Sequence, residues 1–428
     1  MHFAVVLAFC LSLISRSLQA SLPSFTDVLS SQTNLSSFSD VLNKTYPDLL
    51  TRIETSTSPI TILAPSNAAF AKTIYYSIIG PAFSNNDVGA IKAILDYHVV
   101  EGNHPSTSLL PTFQYFPTWL TNTTFTNVTD GQRVGGVMQS GKEMFWVSGQ
   151  SNRSPGIVMD IAFQGGTVHI IDSLLIPPSS FPATAELFST AAEPYQLTSF
   201  LGATYLSSNG TVSPIAALLN ETSDITIFAP NNVAMESVAS SLTSLSLSNG
   251  SSSFSDLLNY HIILKGGPLY STSFPTNSTT LELETLNGTP ITISFSSNSF
   301  FVNSARILTS DLLLANGVMH VLDNVLSPGS TGEKPNPSLA TQVPVLSTGA
   351  PGGFNVSQAP FTSSLPNAVI TGVTASPTGG SYGGGGTATT TGAASTGTGV
   401  PKKNGGVRTA ALNVAWLIIA LVIIYFIV

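Results

Sequence analysis

The chain has 428 residues, of which only 8% are charged, and its formal net charge is −8 at pH 7. A chain of this length holds roughly two or three domains of about 150 residues, each able to bury a core of its own. The acidic balance excludes nucleic-acid binding, because no basic face exists to neutralise phosphates.

The N-terminal segment is an apolar run from Phe3 to Ile14, followed by small residues between Ser17 and Ala20. The run is too short to span a bilayer, and the pattern is typical of a cleaved secretory signal over residues 1–20. Cys10 is the one cysteine of the chain. It would leave with the signal, so the mature chain is expected to contain neither a disulfide nor a thiol nucleophile.

Residues 60–70, ITILAPSNAAF, predict a strand, a tight corner and a helix. The β-branched side chains at the start favour a strand that Pro65 stops. The side chain of Ser66 or Asn67 can then cap a helix that begins near Ala68.

A second helix is predicted where Ile91 and Leu95 fall at helical spacing after Asp87, a suitable N-cap. The Tyr97-His98 pair follows directly, where this helix gives way to a strand. Large apolar neighbours on both sides indicate that the pair is buried. In that interpretation the imidazole satisfies buried backbone groups, and the Tyr hydroxyl reaches a polar edge.

Residues 165–178, GGTVHIIDSLLIPP, predict a strand that is buried on at least one face. His169 precedes Asp172 by three residues, and His320 precedes Asp323 by the same spacing. On a strand this spacing puts the two side chains on opposite faces, so a His-Asp dyad is not expected. We interpret both histidines as core residues.

All three blocks return in the same order later in the chain, as ITIFAPNNVAM (225–235), NYHII (259–263) and NGVMHVLDNVLSPG (316–329). Solenoid repeats have periods of about 20 to 50 residues, so this much longer spacing indicates tandem domains. Each copy is helical early and strand-rich late, and Asn287-Gly288 predicts a hairpin turn in the second. The predicted fold class is α+β.

These blocks resemble the signatures of the fasciclin, or FAS1, domain, a secreted module of cell-adhesion and matrix proteins. The resemblance covers two copies, residues 21–178 and 183–328, and implies that each is a wedge or sandwich of β-strands flanked by helices. It also implies adhesion or matrix organisation rather than catalysis. In some animal members the Tyr-His pair is implicated in integrin binding, which makes Tyr97, His98, Tyr260 and His261 a candidate adhesion motif.

Residues 329–404 are rich in Ser, Thr, Gly and Pro, which predicts an extended stalk. The tail from 410 to 428 is uncharged and could just cross a bilayer, so a single C-terminal transmembrane helix is one alternative. However, the basic residues precede the tail, contrary to the positive-inside bias. The small residues from Asn404 to Gly406 instead suggest a glycolipid-anchor signal, with attachment at Asn404 and removal of residues 405–428.

Sequons of the form Asn-x-Ser/Thr occur along the whole chain and predict N-glycosylation of a secreted protein. They are Asn34, Asn43, Asn122, Asn127, Asn152, Asn209, Asn220, Asn249, Asn277, Asn287 and Asn355. Pro155 disfavours use of the Asn152 site.

The pattern Gly-x-Ser-x-Gly occurs once, at residues 379–383, within the Gly-rich low-complexity segment and without the preceding strand that a nucleophile elbow needs, and no His-Glu-x-x-His helix occurs in the chain. Asp160, Asp172, Asp311 and Asp323 are candidates for acid/base work only because acidic residues are scarce. We therefore expect no catalytic residues, no metal site and no cofactor.

The sequence thus predicts a glycosylated adhesion protein on the outer face of the plasma membrane or in the cell wall. Its partners would be a cell-surface or matrix protein or glycan, and the membrane through a glycolipid. Two alternatives stay open: a structural component of the wall or matrix without a discrete ligand, and a hydrolase of surface glycans.

Overall fold

The computed structural model describes residues 22–139, 142–191, 195–206, 214–247, 252–348 and 359–365. The expected signal (1–20), most of the predicted stalk, Asn404 and the tail lie outside these residues. None of the described helices has both the length and the hydropathy that a membrane-spanning helix needs.

The first domain is helical before it forms its sheet. Its helices are α1 (Phe25–Ser31), α2 (Ser36–Thr45), α3 (Pro47–Glu54), α4 (Asn67–Ala71), α5 (Ile79–Ser84) and α6 (Val88–Tyr97). Its strands are β1 (Ile60–Pro65), β2 (Val99–Glu101), β3 (Gln114–Pro117), β4 (Arg133–Gln139), β5 (Glu143–Val147), β6 (Arg153–Phe163) and β7 (Gly166–Ile171).

The second domain repeats this order. Its helices are α7 (Phe181–Leu187), α8 (Thr198–Tyr205), α9 (Pro214–Glu221), α10 (Asn232–Ser237), α11 (Ala239–Leu247) and α12 (Ser252–Asn259). Its strands are β8 (Ile225–Pro230), β9 (Ile262–Ile263), β10 (Leu281–Glu284), β11 (Pro290–Ser296), β12 (Ser299–Val302), β13 (Ala305–Leu314) and β14 (Gly317–Leu322). The predicted α+β class with two tandem copies is confirmed.

Both sheets have one strand order, β2-β1-β7-β6-β5-β4-β3 in the first domain and β9-β8-β14-β13-β12-β11-β10 in the second. The pairs β1–β7 and β8–β14 are parallel, and the other described ladders are antiparallel. An isolated bridge between Val100 and Thr118 joins β2 to the end of β3. The first sheet is therefore curled, and its two edges meet.

The curl gives the first domain two apolar clusters. Side chains alternate along β1, so that Ile62 packs with the helices whereas Leu63 packs inside the curled sheet. The inner cluster is built around Trp146, which is fully buried. A buried side chain of this size contributes on the order of 1.5–3 kcal/mol to folding.

The glycines that open β7 and β14 allow the close approach of the parallel strands. A Cβ at Gly166 would collide with the carbonyl oxygen of Ile60, and one at Gly317 would collide with that of Ile225. Both ladders begin at these pairs. The repeated glycine of the third sequence block is therefore required by strand packing.

The predicted helix caps are confirmed. The Ser66 side chain accepts a hydrogen bond from the backbone N–H of Ala69, so the helix starts one residue earlier than expected. Asp87 accepts from the N–H of Ala90 at the start of α6. Asn231 caps the corresponding helix of the second domain.

A long loop of the first domain docks onto the second. This docking loop, residues 118–132, connects β3 to β4. The Asn127 backbone N–H donates to the Ala315 carbonyl at 2.7 Å. Its side-chain amide donates to the Glu221 carbonyl at 2.8 Å, and the Thr129 N–H donates to an Asp224 carboxylate oxygen at 2.8 Å.

The docked surfaces also contain buried groups. Gln132 is fully buried and donates to the Leu314 carbonyl at 3.1 Å. The rings of Tyr115 and Tyr270 are stacked with centres 4.4 Å apart. The Ala315 N–H donates to the Ser179 carbonyl at 2.8 Å, which ties the short join between the domains to the same interface. The two domains are thus held by polar bonds and ring stacking together.

The beginning of the predicted stalk differs from the expected extended chain, because residues 329–348 and 359–365 pack on the second domain. The Gln342 N–H donates to an Asp323 carboxylate oxygen at 2.9 Å, and Arg306 donates to the Leu339 carbonyl at 2.7 Å. The Phe361 ring lies 5.4 Å from that of Phe254. A few apolar and amide side chains within an otherwise low-complexity segment account for this packing.

Candidate functional site

The Tyr-His pair lies at the predicted helix-to-strand switch in both copies. Helix α6 ends at Tyr97, His98 is its C-cap residue, and β2 begins at Val99. In the second domain α12 ends just before Tyr260 and His261. All four side chains of the pair are fully buried.

Each imidazole bridges two buried backbone groups. His98 Nδ1 donates to the Ile94 carbonyl at 2.7 Å, and His98 Nε2 accepts from the Leu175 N–H at 3.0 Å. These bonds assign the neutral tautomer protonated on Nδ1. The ring therefore joins the last turn of α6 to the segment after β7.

His261 makes the same two bonds in the second domain. Its ring bonds the Leu257 carbonyl at 2.8 Å and accepts from the Leu326 N–H at 3.0 Å. Burial lowers the pKa of His98 and of His261 from 6.5 to about 4. Both rings are thus neutral at physiological pH.

The tyrosines tie the same corner to the far side of the curled sheet. The Tyr97 hydroxyl donates to the Arg133 carbonyl at 2.7 Å. The Tyr260 hydroxyl donates to the Pro290 carbonyl and accepts from Asn303, both at 2.9 Å. Burial raises the pKa of Tyr97 well above its usual range.

These contacts bear on the candidate adhesion motif. A partner that meets the folded surface cannot touch Tyr97, His98, Tyr260 or His261, because each is 0% exposed. The structure brings each pair together with its own backbone partners, and it keeps the two pairs in separate domains. An adhesive role for the motif stays a prediction, and it would require the corner to open.

His169 and His320 are buried core residues, as the spacing argument predicted. His169 Nδ1 accepts from the Asp160 N–H at 3.2 Å, and its Nε2 donates to the His104 carbonyl at 2.9 Å. His320 repeats this arrangement with Asp311 and Leu269 at 3.3 and 2.9 Å. Burial lowers the pKa of both rings.

The sequence did not reveal that these histidines belong to Ser-Asp-His clusters. The Asp160 carboxylate accepts from both the N–H and the hydroxyl of Ser106, and Asp311 binds Ser271 in the same way. The Asp-to-His spacing of nine residues, which both copies share, was the available signal.

The clusters lack the connectivity of a catalytic triad. In a triad the histidine takes the serine proton, whereas here the serine donates to the aspartate and the histidine already has two backbone partners. Of the other candidate acids, Asp172 pairs with Lys72 at 2.8 Å, and Asp323 accepts from the Arg306 N–H at 2.7 Å. Among the described residues, no group of three or more His, Cys, Asp or Glu could hold a metal ion.

The asparagines of the sequons differ in the hydrogen bonds that their side chains make. Asn122, Asn277 and Asn287 accept a hydrogen bond from the N–H two residues later through Oδ1. In contrast, Asn43, Asn127 and Asn152 donate their Nδ2 to a backbone carbonyl. Asn34 and Asn220 are half-buried. Asn209, Asn249 and Asn355 lie outside the described residues.

Comparisons with known proteins agree with this two-domain architecture. A family model described as the fasciclin domain matches residues 33–177 and 197–328, which together make up more than half of the chain. A fasciclin-like arabinogalactan protein of Arthroderma benhamiae is 31% identical over 80% of this chain and 75% of its own length.

Two further similarities are more distant. The fasciclin-like arabinogalactan protein CTB11 of Cercospora beticola is 27% identical over 77% of this chain and 81% of its own. A solved FAS1 domain pair from the insect cell adhesion molecule Fasciclin I is 18% identical and aligns with 70% of this chain and 98% of its own, with a TM-score of 0.33. That score is too low to compare the arrangement of the domains.

Replacement of the bridging imidazole tests its structural role. We expect His98→Ala to lower the free energy of unfolding by about 1–3 kcal/mol for each backbone group left unsatisfied. Thermal and urea unfolding measure this, with Tyr75→Ala, at a side chain that is 81% exposed, as the control. Unchanged stability with loss of partner binding would support the adhesive role instead.

The lowered pKa values predict a pH dependence of stability. Between pH 6.5 and about 4 the unfolded chain protonates His98 and His261, whereas the folded chain does not. Stability should therefore be fully present above pH 6.5 and fall as the pH is lowered, by about 3 kcal/mol for each ring.

Urea unfolding across this range measures the slope. The double substitution His98→Gln and His261→Gln should reduce the slope of the unfolding free energy against pH. Part of the slope should persist, because the pKa values of His169 and His320 are also lowered. A slope that the double substitution leaves unchanged would contradict the assignment.

Proposed function

The chain belongs to the fasciclin domain family, and we propose that it is a glycosylated cell-surface adhesion protein that presents its two domains on a stalk held by a glycolipid. Family membership supports the adhesion-type role at the cell surface. The fungal relatives are named arabinogalactan proteins, which supports a sugar-bearing chain.

One observation carries the adhesion proposal. The side chains of the repeated motifs are buried and bond within their own domain. A partner would therefore contact the outer surface of the two docked domains. That surface has few charges, because only 8% of the whole chain is charged. It therefore suits contacts made through hydroxyl and amide groups, which salt screens less than ion pairs.

The docked pair also suits multivalent attachment. Two domains held in one orientation can engage neighbouring sites, and many chains on one surface raise the effective concentration further. Individual contacts can then be weak. The glycolipid is supported by the basic residues that precede the C-terminal tail, and the small residues from Asn404 to Gly406 make Asn404 the candidate attachment residue.

A wall or matrix component without a discrete ligand is the alternative. The packing of residues 329–348 against the second domain favours neither possibility. A hydrolase is disfavoured by the connectivity of the Ser-Asp-His clusters.

Saturable attachment tests the adhesive role. Beads coated with the glycosylated segment from Ser21 to Asn404, which contains every described residue, should bind the organism's own cells or matrix saturably. Denatured segment on the same beads is the control. Absence of binding above that control, together with altered surface mechanics in a deletion strain, would favour the structural wall component.

Enzymatic release tests the anchor. Phosphatidylinositol-specific phospholipase should release the protein from intact cells, because it cleaves the lipid and leaves the polypeptide whole. Mass spectrometry of the released chain should find its C-terminus near Asn404. Peptides from beyond Asn404 in the mature protein would favour a retained transmembrane helix.

A further inference from the structure

A polar cleft lies at one end of the first sheet. It has a volume of about 570 Å³, within the range usual for ligand sites. The end of α3, residues 55–59, the end of β2 and Trp119 line it.

Two side chains form a fixed wall of the cleft. The guanidinium carbon of Arg52 lies 4.7 Å from the centre of the half-buried Trp119 ring. Arg52 Nη1 donates to the Tyr46 hydroxyl at 2.8 Å and to an Asp96 carboxylate oxygen at 2.9 Å. These bonds use one nitrogen and leave Nε and Nη2 without a described hydrogen-bond partner.

The rest of the lining contains further hydrogen-bonding groups. Residues 55–58 are all Ser or Thr, of which Thr55 and Ser56 donate their hydroxyls to backbone carbonyls, and Glu101 is exposed at the end of β2. No ion pair of Glu101 occurs within the described part of the chain. The cleft therefore offers an aromatic edge, N–H donors, hydroxyls and a carboxylate acceptor together.

The second domain supplies an internal comparison for each of these positions. The N–H of Trp119 donates to the Val99 carbonyl, as the N–H of Leu286 donates to the Ile262 carbonyl. Trp119 therefore corresponds to Leu286.

The other two cleft residues also correspond to leucines. Glu101 lies opposite Ile60, at the place that Leu264 takes beside β8. Arg52 precedes the buried Ile53 of α3, as Leu218 precedes the buried Leu219 of α9.

All three leucines, Leu218, Leu264 and Leu286, pack against the core of the second domain. Trp119 likewise packs against the core of the first domain, whereas Arg52 and Glu101 are charged where the second domain packs leucine. Two charged side chains in place of packed leucines, beside a partly exposed indole, need an explanation other than stability.

We propose that this cleft binds a neutral saccharide, an inference that rests on the proposed adhesive function and names its ligand. The Arg52 and Trp119 wall packs on the apolar face of a sugar ring, Glu101 accepts from sugar hydroxyls, and Arg52 donates to ring or hydroxyl oxygens. Asp96 balances the charge of Arg52, so Glu101 gives the cleft a net negative charge and disfavours acidic sugars.

Titration with defined sugars tests the proposal. The probes are neutral oligosaccharides of two to six units, namely glucans, mannans, galactans and N-acetylglucosamine oligomers, with galacturonate oligomers as the acidic comparison. Isothermal titration calorimetry of the segment from Ser21 to Asn404 measures the affinity of every variant. In chains that keep Trp119, its emission gives a second readout, because the other tryptophan of the segment, Trp146, is fully buried.

The variants introduce into the first domain the residues that the second domain has at the corresponding positions. Trp119→Leu and Glu101→Leu should each weaken binding at least tenfold. Glu101→Leu should do so without lowering the melting temperature, because Glu101 is exposed and leucine fits the corresponding place of the second domain. Tyr75→Leu, at an exposed aromatic outside the cleft, is the matched control and should leave affinity unchanged. Absence of binding to every neutral probe, a preference for galacturonate, or unaltered binding in both cleft variants would overturn the proposal.

The bead assay separates this inference from the proposed function. If the Trp119→Leu variant still attaches saturably to cells and no sugar binds the unaltered protein, the adhesive function is supported and the sugar site is contradicted. Sugar binding that Trp119→Leu abolishes, without attachment to cells, would keep the cleft and reject adhesion.

Discussion

A neutral imidazole at the end of a helix is the interaction on which each domain depends. His98 connects a carbonyl of α6 to a backbone N–H after β7, and at full burial bulk solvent cannot replace either bond. The adjacent Tyr97 belongs to the inner apolar cluster, whereas Ile94 belongs to the cluster under the helices. The corner therefore fixes the two clusters relative to each other, which explains why duplication kept both residues.

Local features of this fold could be predicted from the sequence, because their causes lie within a few residues. The caps at Ser66 and Asp87 depend on the side chain and the three residues that follow it. The burial of the Tyr-His pair followed from its apolar neighbours. The tandem architecture followed from three motifs that recur in order.

The remaining features depend on register and on distant partners. Asp160 reaches His169 through a strand with shifted register, where Asp160 has a positive φ of 63°. No local sequence pattern predicts such a bulge. The contacts of the docking loop could not be predicted either, because the partners of Asn127 and Thr129 lie 94 and 95 residues away along the chain. The cleft became visible only when the two copies were compared position by position.

The docking loop has a consequence for the order of events during synthesis. Asn127 is both a predicted glycan acceptor and a donor to the carbonyl of Glu221, which emerges 94 residues later. At about 5–20 residues per second, the ribosome leaves Asn127 without its partner for roughly 5–20 seconds. A glycan transferred to Asn127 within that interval would therefore be in place before the second domain could dock.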